Sequence, residues 1–436
     1  MTGRAKRLRR LLAASLTVSM FLLTVGAGAA DSGVTVTVQN GYWADYGVTI
    51  PFTRSPRTTD YTFSLYEGGS AAGAPVVSAE VAMTAAQGDV YLPLAYDTTG
   101  AQSYTLRIEA RPLADRTGTD MAATREFPFT TNPTCGCASG TAGAIYRGSG
   151  SAADPFYVGA QQQLAHVGMH GAANIYQDRD IALSGNWTPI ASFSGAYDGG
   201  GHKITGLSIA GAEYAGLISR LDTGSVHDLR VEGSVTGIKG AAFIAGRSTG
   251  GKISRCLAVG ELAHAGGFDW PSIGGMVGEG AESVTIEDCG FLGTIRSTQA
   301  TSARNAVRWN GGIAGVARYA SIIRRCYGYV EYSVSENPYI KLSNAVGGIA
   351  GDTIGGISSQ SNYWYAGAGS PIYGIANTAN DVGGPPSNTG CTQISSFSSL
   401  PAGFDPSVWE MGTITVPTLS GASKTVSAPV LKVFQH

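Results

Sequence analysis

Gly312-Ile313-Ala314-Gly315, followed eight residues on by Ile323-Arg324-Arg325-Cys326, decides how this chain is read. The same phrase recurs. Gly275-Met276-Val277-Gly278 leads to Ile286-Glu287-Asp288-Cys289, and Phe243-Ile244-Ala245-Gly246 leads to Ile253-Ser254-Arg255-Cys256. An earlier copy runs from Gly216-Leu217-Ile218-Ser219 to Val226-His227-Asp228-Leu229. A later one runs from Gly348-Ile349-Ala350-Gly351 to Ile357-Ser358-Ser359 and Asn362. The step from the first residue of a phrase to its Cys or equivalent is 14 residues in the last three copies and 13 in the first two. Copies start 27, 32, 37 and 36 residues apart. A unit this short cannot bury its own apolar side and must stack on its neighbours. Its apolar positions are brief, β-branched and bounded by Gly, too few in a row for a helical stripe. The expectation is a right-handed parallel β-helix, a solenoid of one coil per phrase, over residues 144–375.

The rest of the chain is read outward from the solenoid. Residues 1–30 form a signal peptide, with a basic start (Arg4, Lys6, Arg7, Arg9, Arg10), an apolar run Leu11–Val25 and Ala27-Gly28-Ala29 as the cleavage motif. Its removal leaves 24 basic against 31 acidic residues, a net charge of −7 that argues against a nucleic-acid partner. No second apolar run is long enough for a membrane span once the signal is removed. The 62 Gly and low charge suit a tight-turned all-β protein. Residues 31–131 carry Val34–Val38, Gly47–Phe52, Tyr61–Tyr66, Val90–Leu94, Tyr104–Ile108 and Arg125–Thr130, short alternating runs that predict a β-sandwich. Residues 132–143 are a Gly-, Thr- and Ala-rich linker containing Cys135-Gly136-Cys137. Ala160–Gly168 predicts a short helix with Leu164 and Val167 on one face, capping the open N-terminal end of the solenoid. Residues 376–436 are a C-terminal closing segment, irregular in pattern.

Two resemblances follow from these residues. Tyr61–Glu67, Ala95-Tyr96-Asp97 and Ser103–Leu106 resemble the sandwich domains of Gram-positive pilins and adhesins. The Lys–Asn crosslink of those domains is ruled out, because no Lys lies between Asp31 and Lys203. Ser149–Val158, Asp180–Leu183, Trp187–Ile190, Phe193–His202 and the Gly-Gly-Ile-Ala-Gly repeats resemble GLUG-motif β-helix proteins. These are bacterial secreted and surface proteins, and their motif occurs in the non-catalytic region of IgA-specific metallopeptidases. The resemblance implies a fold and a location outside the cell, and no activity. The peptidase would need His-Glu-x-x-His, which is absent from this sequence.

Candidate chemistry is sparse. Cys256, Cys289 and Cys326 share one register position and predict a buried thiol ladder, with Leu229 and Asn362 in the same slot. Cys135, Cys137 and Cys391 lie outside the repeats. An exported chain permits a disulfide from Cys391 to either of the other two. His166 and His170 share a face of the cap helix. Zinc needs further ligands, so the pair reads as a solvated face, and no metal or cofactor is expected. Asp198 and His202 bracket three glycines and read as a turn. Asp228, Glu287 and Asp288 are the carboxylates a glycosidase would draw on, but Arg255 and Arg325 alternate with them, as on a charged solvated corner.

The insertions Ala263–Ser272, Ser297–Asn310 and Ser333–Asn344 all enter at the same point of the repeat. They should stack into one surface carrying Phe268, Asp269, Trp270, Arg304, Arg308, Trp309, Tyr339 and Lys341. Aromatic rings among Arg and Asp suit an extracellular glycan or a host or bacterial surface protein. The expected function is therefore a secreted or cell-surface, adhesin-like, non-catalytic binding protein. Two other readings stay open: a polysaccharide lyase or glycosidase built on the β-helix, and a structural stalk or spacer.

Overall fold

A computed structural model describes residues 37–434, apart from 39–41, 44–46, 55–58, 94–102, 111–122, 131–132, 139–140, 269, 298–307, 336–345, 368, 372 and 377–384. Residues 1–30, read from the sequence as a signal peptide, lie outside the described residues. The protein is all-β, and its one α-helix among the described residues is Gln161–His166, continued by the 3-10 turn Val167–His170. Leu164 and Val167 are fully buried there, as their spacing predicts.

The N-terminal module consists of two antiparallel sheets. One joins Thr37–Val38, Tyr42–Trp43, Gly47–Thr53 and Gln87–Pro93. The other joins Val77–Ala82, Asp60–Glu67, Ser103–Ala110 and Ala123–Thr130 in that order. Tyr61, Phe63 and Leu65 alternate toward a core shared with Ile50, Phe52, Val90, Leu92, Leu106 and Ile108. The Phe52 ring meets Tyr61 at 4.8 Å and Phe63 at 5.1 Å, edge to face. Val77–Ala82 is a strand the sequence reading missed. Among the described residues it pairs with Asp60–Glu67 alone and alternates half-buried with exposed residues, the pattern of an edge strand.

The repeats form a large parallel sheet and a five-stranded one. The latter runs Ile218–Leu221, Ala245–Ser248, Val277–Gly280, Ala314–Arg318 and Ala350–Ile354, every neighbour parallel and in register. In the large sheet Ser225–Ala241 pairs with Lys252–His264, which pairs with Gly290–Ser297, then Tyr327–Val334 and Asn362–Tyr365. The two sheets enclose one apolar core. The Gly-rich phrase is half corner and half strand: Ser272–Gly274 ends, Gly275 and Met276 bend, and Val277–Gly280 begins in the other sheet. The bend is tight enough that a Cβ on Gly347 would lie 1.8 Å from the Ala350 carbonyl oxygen. Gly274, Gly311 and Gly347 share this position, and the first two copies place the small Ala215 and Ala242 near it.

A second corner precedes each Cys slot. Asp228, Arg255, Asp288, Arg325 and Ser361 all sit there with φ of 49–54°, a left-handed conformation that non-Gly residues seldom adopt. Their side chains alternate in charge up the stack. Arg255 grips Asp228 through Nε–Oδ1 at 2.6 Å and Nη2–Oδ2 at 2.5 Å. Arg325 grips Asp288 at 2.7 and 2.6 Å in the same way. Glu287 pairs with Lys252, Arg324 and Arg325. The corner is less solvated than the sequence reading held, since Glu287 and Asp288 are buried.

Beside it runs the thiol column. Cys256, Cys289 and Cys326 are fully buried free thiols whose Sγ atoms face carbonyl oxygens at 3.2–3.7 Å. Asn362 ends the run of three: it accepts from Cys326 N and donates to Ile323 O. Cys391 pairs in register with Asn362, so it belongs to this column. Its Sγ lies 3.2 Å from Ser359 Oγ, and burial pushes its pKa up to about 11 against the opposing hydrogen bonds. The disulfide from Cys391 to the linker is therefore not formed.

The closing segment is regular where the sequence pattern predicted irregularity. Trp409–Pro417 and Ser423–Leu431 make an antiparallel hairpin in nine-residue register. The hairpin lies on the outer face of the large sheet, where Leu257, Val259, Leu292, Tyr327 and Tyr329 pack against Phe397, Phe404, Trp409, Ile414, Val416 and Leu431. Tyr327 Oη donates to Pro429 O at 2.6 Å, and Trp409 Nε1 to Asp288 Oδ1 at 3.3 Å. Strands buried on both faces read as continuous apolar runs, as Cys256–Val259 does.

Two outcomes are expected. Burial would raise the Asp228 and Glu287 carboxyls, but hydrogen bonds from Arg255 and His227, and from Lys252 and Arg324, hold both at about 2. A depressed carboxyl adds stability above its unfolded pKa and loses it as pH falls toward the folded value. Each should contribute about 2–3 kcal/mol that is present above pH 4.5 and gone near pH 2; urea midpoints measured from pH 7 to 2 would check this, and a flat profile would refute it. Trp409→Ala should cost about 3–5 kcal/mol of tail docking. Limited proteolysis should then cut the hairpin while the thiols of the column stay unreactive.

Candidate functional site

The entry and exit points of the insertions do stack. Ala263 pairs with Arg296, and Arg296 with Ser333, where the chain leaves the large sheet. Ser272 pairs with Trp309, and Asn310 with Val346, where it returns. The shorter repeat before them turns at the same place, between Gly237, opposite His264, and Gly240, opposite Ser272. Of the eight candidate residues, Asp269, Arg304, Tyr339 and Lys341 lie outside the described residues.

The other four divide. Trp270 is 42% exposed, and its ring meets Phe268 edge to face at 6.1 Å. Lys239 Nζ lies 5.6 Å over the Phe268 ring and 2.6 Å from Glu213 Oε1. An aromatic pair and an ion pair thus share one patch at the first insertion. Trp309 is half-buried in the strand Trp309–Gly311. Arg308 turns inward, a correction to its expected place on the binding surface. It is buried, its Nη1 donates to Ser335 O at 3.1 Å, and burial pushes its pKa down. Its charge lies near the buried His264, whose pKa is lowered first by burial and then by Arg308.

The carboxylates are tied up. Asp198 Oδ1 accepts the Gly200 N–H at 2.9 Å, within a turn where Gly200 and Gly201 have φ of 61° and 81°. His202 faces Asp180 at 3.4 Å. His227 Nδ1 lies 2.9 Å from Asp228 Oδ2 and 3.5 Å from Asp198 Oδ1, but Arg255 already holds both Asp228 oxygens. Asp288 is held the same way.

The cap helix brings a further set together. His166 is buried, contrary to the solvated face expected of it. Its Nε2 lies 3.5 Å from Cys135 Sγ, 3.3 Å from Cys137 Sγ and 3.3 Å from His170 Nε2. His170 Nε2 is 3.5 Å from Cys137 Sγ. All four ligand-type atoms fall within 4.8 Å of one another. Burial lowers both imidazole pKa values, and for His166 the neighbouring His170 adds to this while a backbone hydrogen bond at Ala142 opposes it. Burial, with Cys135 beside it, raises the Cys137 thiol. The sequence held the signal, since Cys-x-Cys and His-x-x-x-His are both short ligand pairs. They fall in what read as two separate elements, a linker and a helix.

No protein-family model matches the chain. It is similar to halomucin of Haloquadratum walsbyi, 29% identical over 189 residues that cover 39% of this chain. The chain spans only 2% of that relative's length. Among solved structures, a candidate immunoglobulin A1 protease from Bacteroides ovatus aligns with 66% of this chain and 95% of its own. The two are 16% identical, with a TM-score of 0.45. No helix among the described residues is long and apolar enough to cross a membrane.

Proposed function

We propose that the chain is a secreted or cell-surface binding protein that recognises a glycan through the insertion side of its repeats. In this reading the two parallel sheets are faces of a right-handed parallel β-helix, and the N-terminal sheets are a β-sandwich that precedes it. The observation that carries it is the Trp270–Phe268 pair, held at the surface beside Lys239 and Glu213 where three insertions enter in register. A sugar offers C–H faces to an aromatic ring and hydroxyls to charged neighbours, which suits that patch. Asp269, Arg304, Tyr339 and Lys341 belong to the same three insertions in sequence and are proposed as part of the surface.

A surface or exported location is supported by the leader-like start of the sequence and the similarity to a segment of halomucin. Glycoside hydrolysis is the less favoured reading because it needs one carboxyl free to give up a proton. Asp228 and Asp288 are each held bidentate by an arginine, and Glu287 lies among three cations.

The test is a glycan array probed with the purified chain, with reducing-end release followed on the same glycans. Retention without release is expected, and Trp270→Ala should weaken it at least about tenfold with an unchanged melting temperature. Release of shortened sugars would establish the enzyme reading instead. Neither retention nor release would overturn glycan recognition and leave a protein partner or a stalk.

A further inference from the structure

We infer that Cys135, Cys137, His166 and His170 form a tetrahedral Cys2His2 site for a zinc ion, which staples the linker to the cap helix. The inference does not depend on the glycan reading. A zinc ion bound at about 2.3 Å to sulfur and about 2.0–2.1 Å to nitrogen requires neighbouring nitrogens about 3.3 Å apart and sulfur–nitrogen edges about 3.5 Å long. The four edges measured here are 3.3 Å for His166–His170 and 3.3, 3.5 and 3.5 Å for the sulfur–nitrogen contacts. Hydrogen bonding alone does not gather two thiols and two imidazoles this way. Both rings turn Nε2 inward, and two nitrogens at 3.3 Å can share at most one proton between them.

The surroundings are those of a structural site. Both cysteines are free, and Cys135 packs at the edge of the apolar core. His170 is flanked by the Phe156 ring at 5.5 Å, and His166 by the Ala142 backbone. A backbone hydrogen bond such as that at Ala142 orients the ring of a metal-bound histidine, and the Phe156 ring packs against His170. With four protein ligands the ion has no open position, which is the structural rather than the catalytic arrangement. Two sulfurs and two nitrogens in a tetrahedron select zinc over the oxygen-seeking Mg²⁺ and Ca²⁺. Near the cysteines, Thr134 N, Thr134 Oγ1 and Cys135 N all converge on the single Ile145 carbonyl. The helix is only six residues long, without a side-chain N-cap. Both pieces therefore gain from a shared metal.

Titration of the reduced, metal-free full chain with Co²⁺ tests the site directly. One equivalent should bind, with the visible bands of tetrahedral cobalt and sulfur-to-metal charge transfer, and Zn²⁺ should displace it stoichiometrically. His170→Ala should weaken binding at least tenfold, and Cys137→Ser should remove the charge-transfer band from one sulfur. Chelation of the zinc-loaded chain should lower its melting temperature. An octahedral cobalt spectrum, no uptake by the wild-type chain, or uptake unchanged in Cys135→Ser/Cys137→Ser would overturn the site. The wild-type titration alone decides even if a variant fails to fold.

Discussion

In-register parallel pairing governs this molecule. Each repeat lies about 4.8 Å from the next, so a residue type chosen at one position meets its counterpart directly above and below. A lone carboxylate at the second corner would face another carboxylate, yet the column runs Asp228, Arg255, Asp288, Arg325 and Ser361. A thiol is small, apolar and tolerant of its own kind, and three stack without bonding in the adjacent slot. In the last three copies Gly274, Gly311 and Gly347 stand at the first corner, where another backbone already fills the space of a Cβ.

That constraint also explains which parts were legible in the sequence. The repeat phrase, its Cys slot and the stacked entry of the insertions could be read directly, because in-register stacking writes itself as fixed spacing. Cys391 could not be placed, because no Gly-Gly-Ile-Ala-Gly phrase introduces its strand. The C-terminal hairpin was missed for a different reason. Its partner surface is the outward side of Leu257, Val259, Leu292 and Tyr327, and the eye assigns such residues to the interior by default. Arg308 was misassigned because a charged residue next to a Trp in an insertion reads as exposed, whereas its guanidinium reaches back to Ser335.

The hairpin is a second covering built onto the repeats. The hairpin covers the outer apolar face of the large sheet and is fastened by Glu331, which takes Lys424 Nζ at 2.6 Å and Leu419 N at 2.9 Å. Trp409 reaches the ion-pair corner itself through Asp288. The outward apolar side chains Leu257, Val259, Leu292 and Tyr327 are thereby covered by the chain's own tail. The tip of the hairpin reaches the insertion side as well, where Arg296 Nη2 donates to Leu419 O at 2.7 Å.

The alternating corner has a consequence for how such a chain can grow or shrink in a lineage. Loss of the single repeat that carries Arg255 would bring Asp228 against Asp288, and duplication of that repeat would set two arginines face to face. Loss or gain of two adjacent repeats keeps acid against base throughout. Inside the column electrostatics thus favours rearrangement by pairs of repeats, whereas loss of the end repeat carrying Arg325 sets Asp288 against Ser361 and joins no like charges.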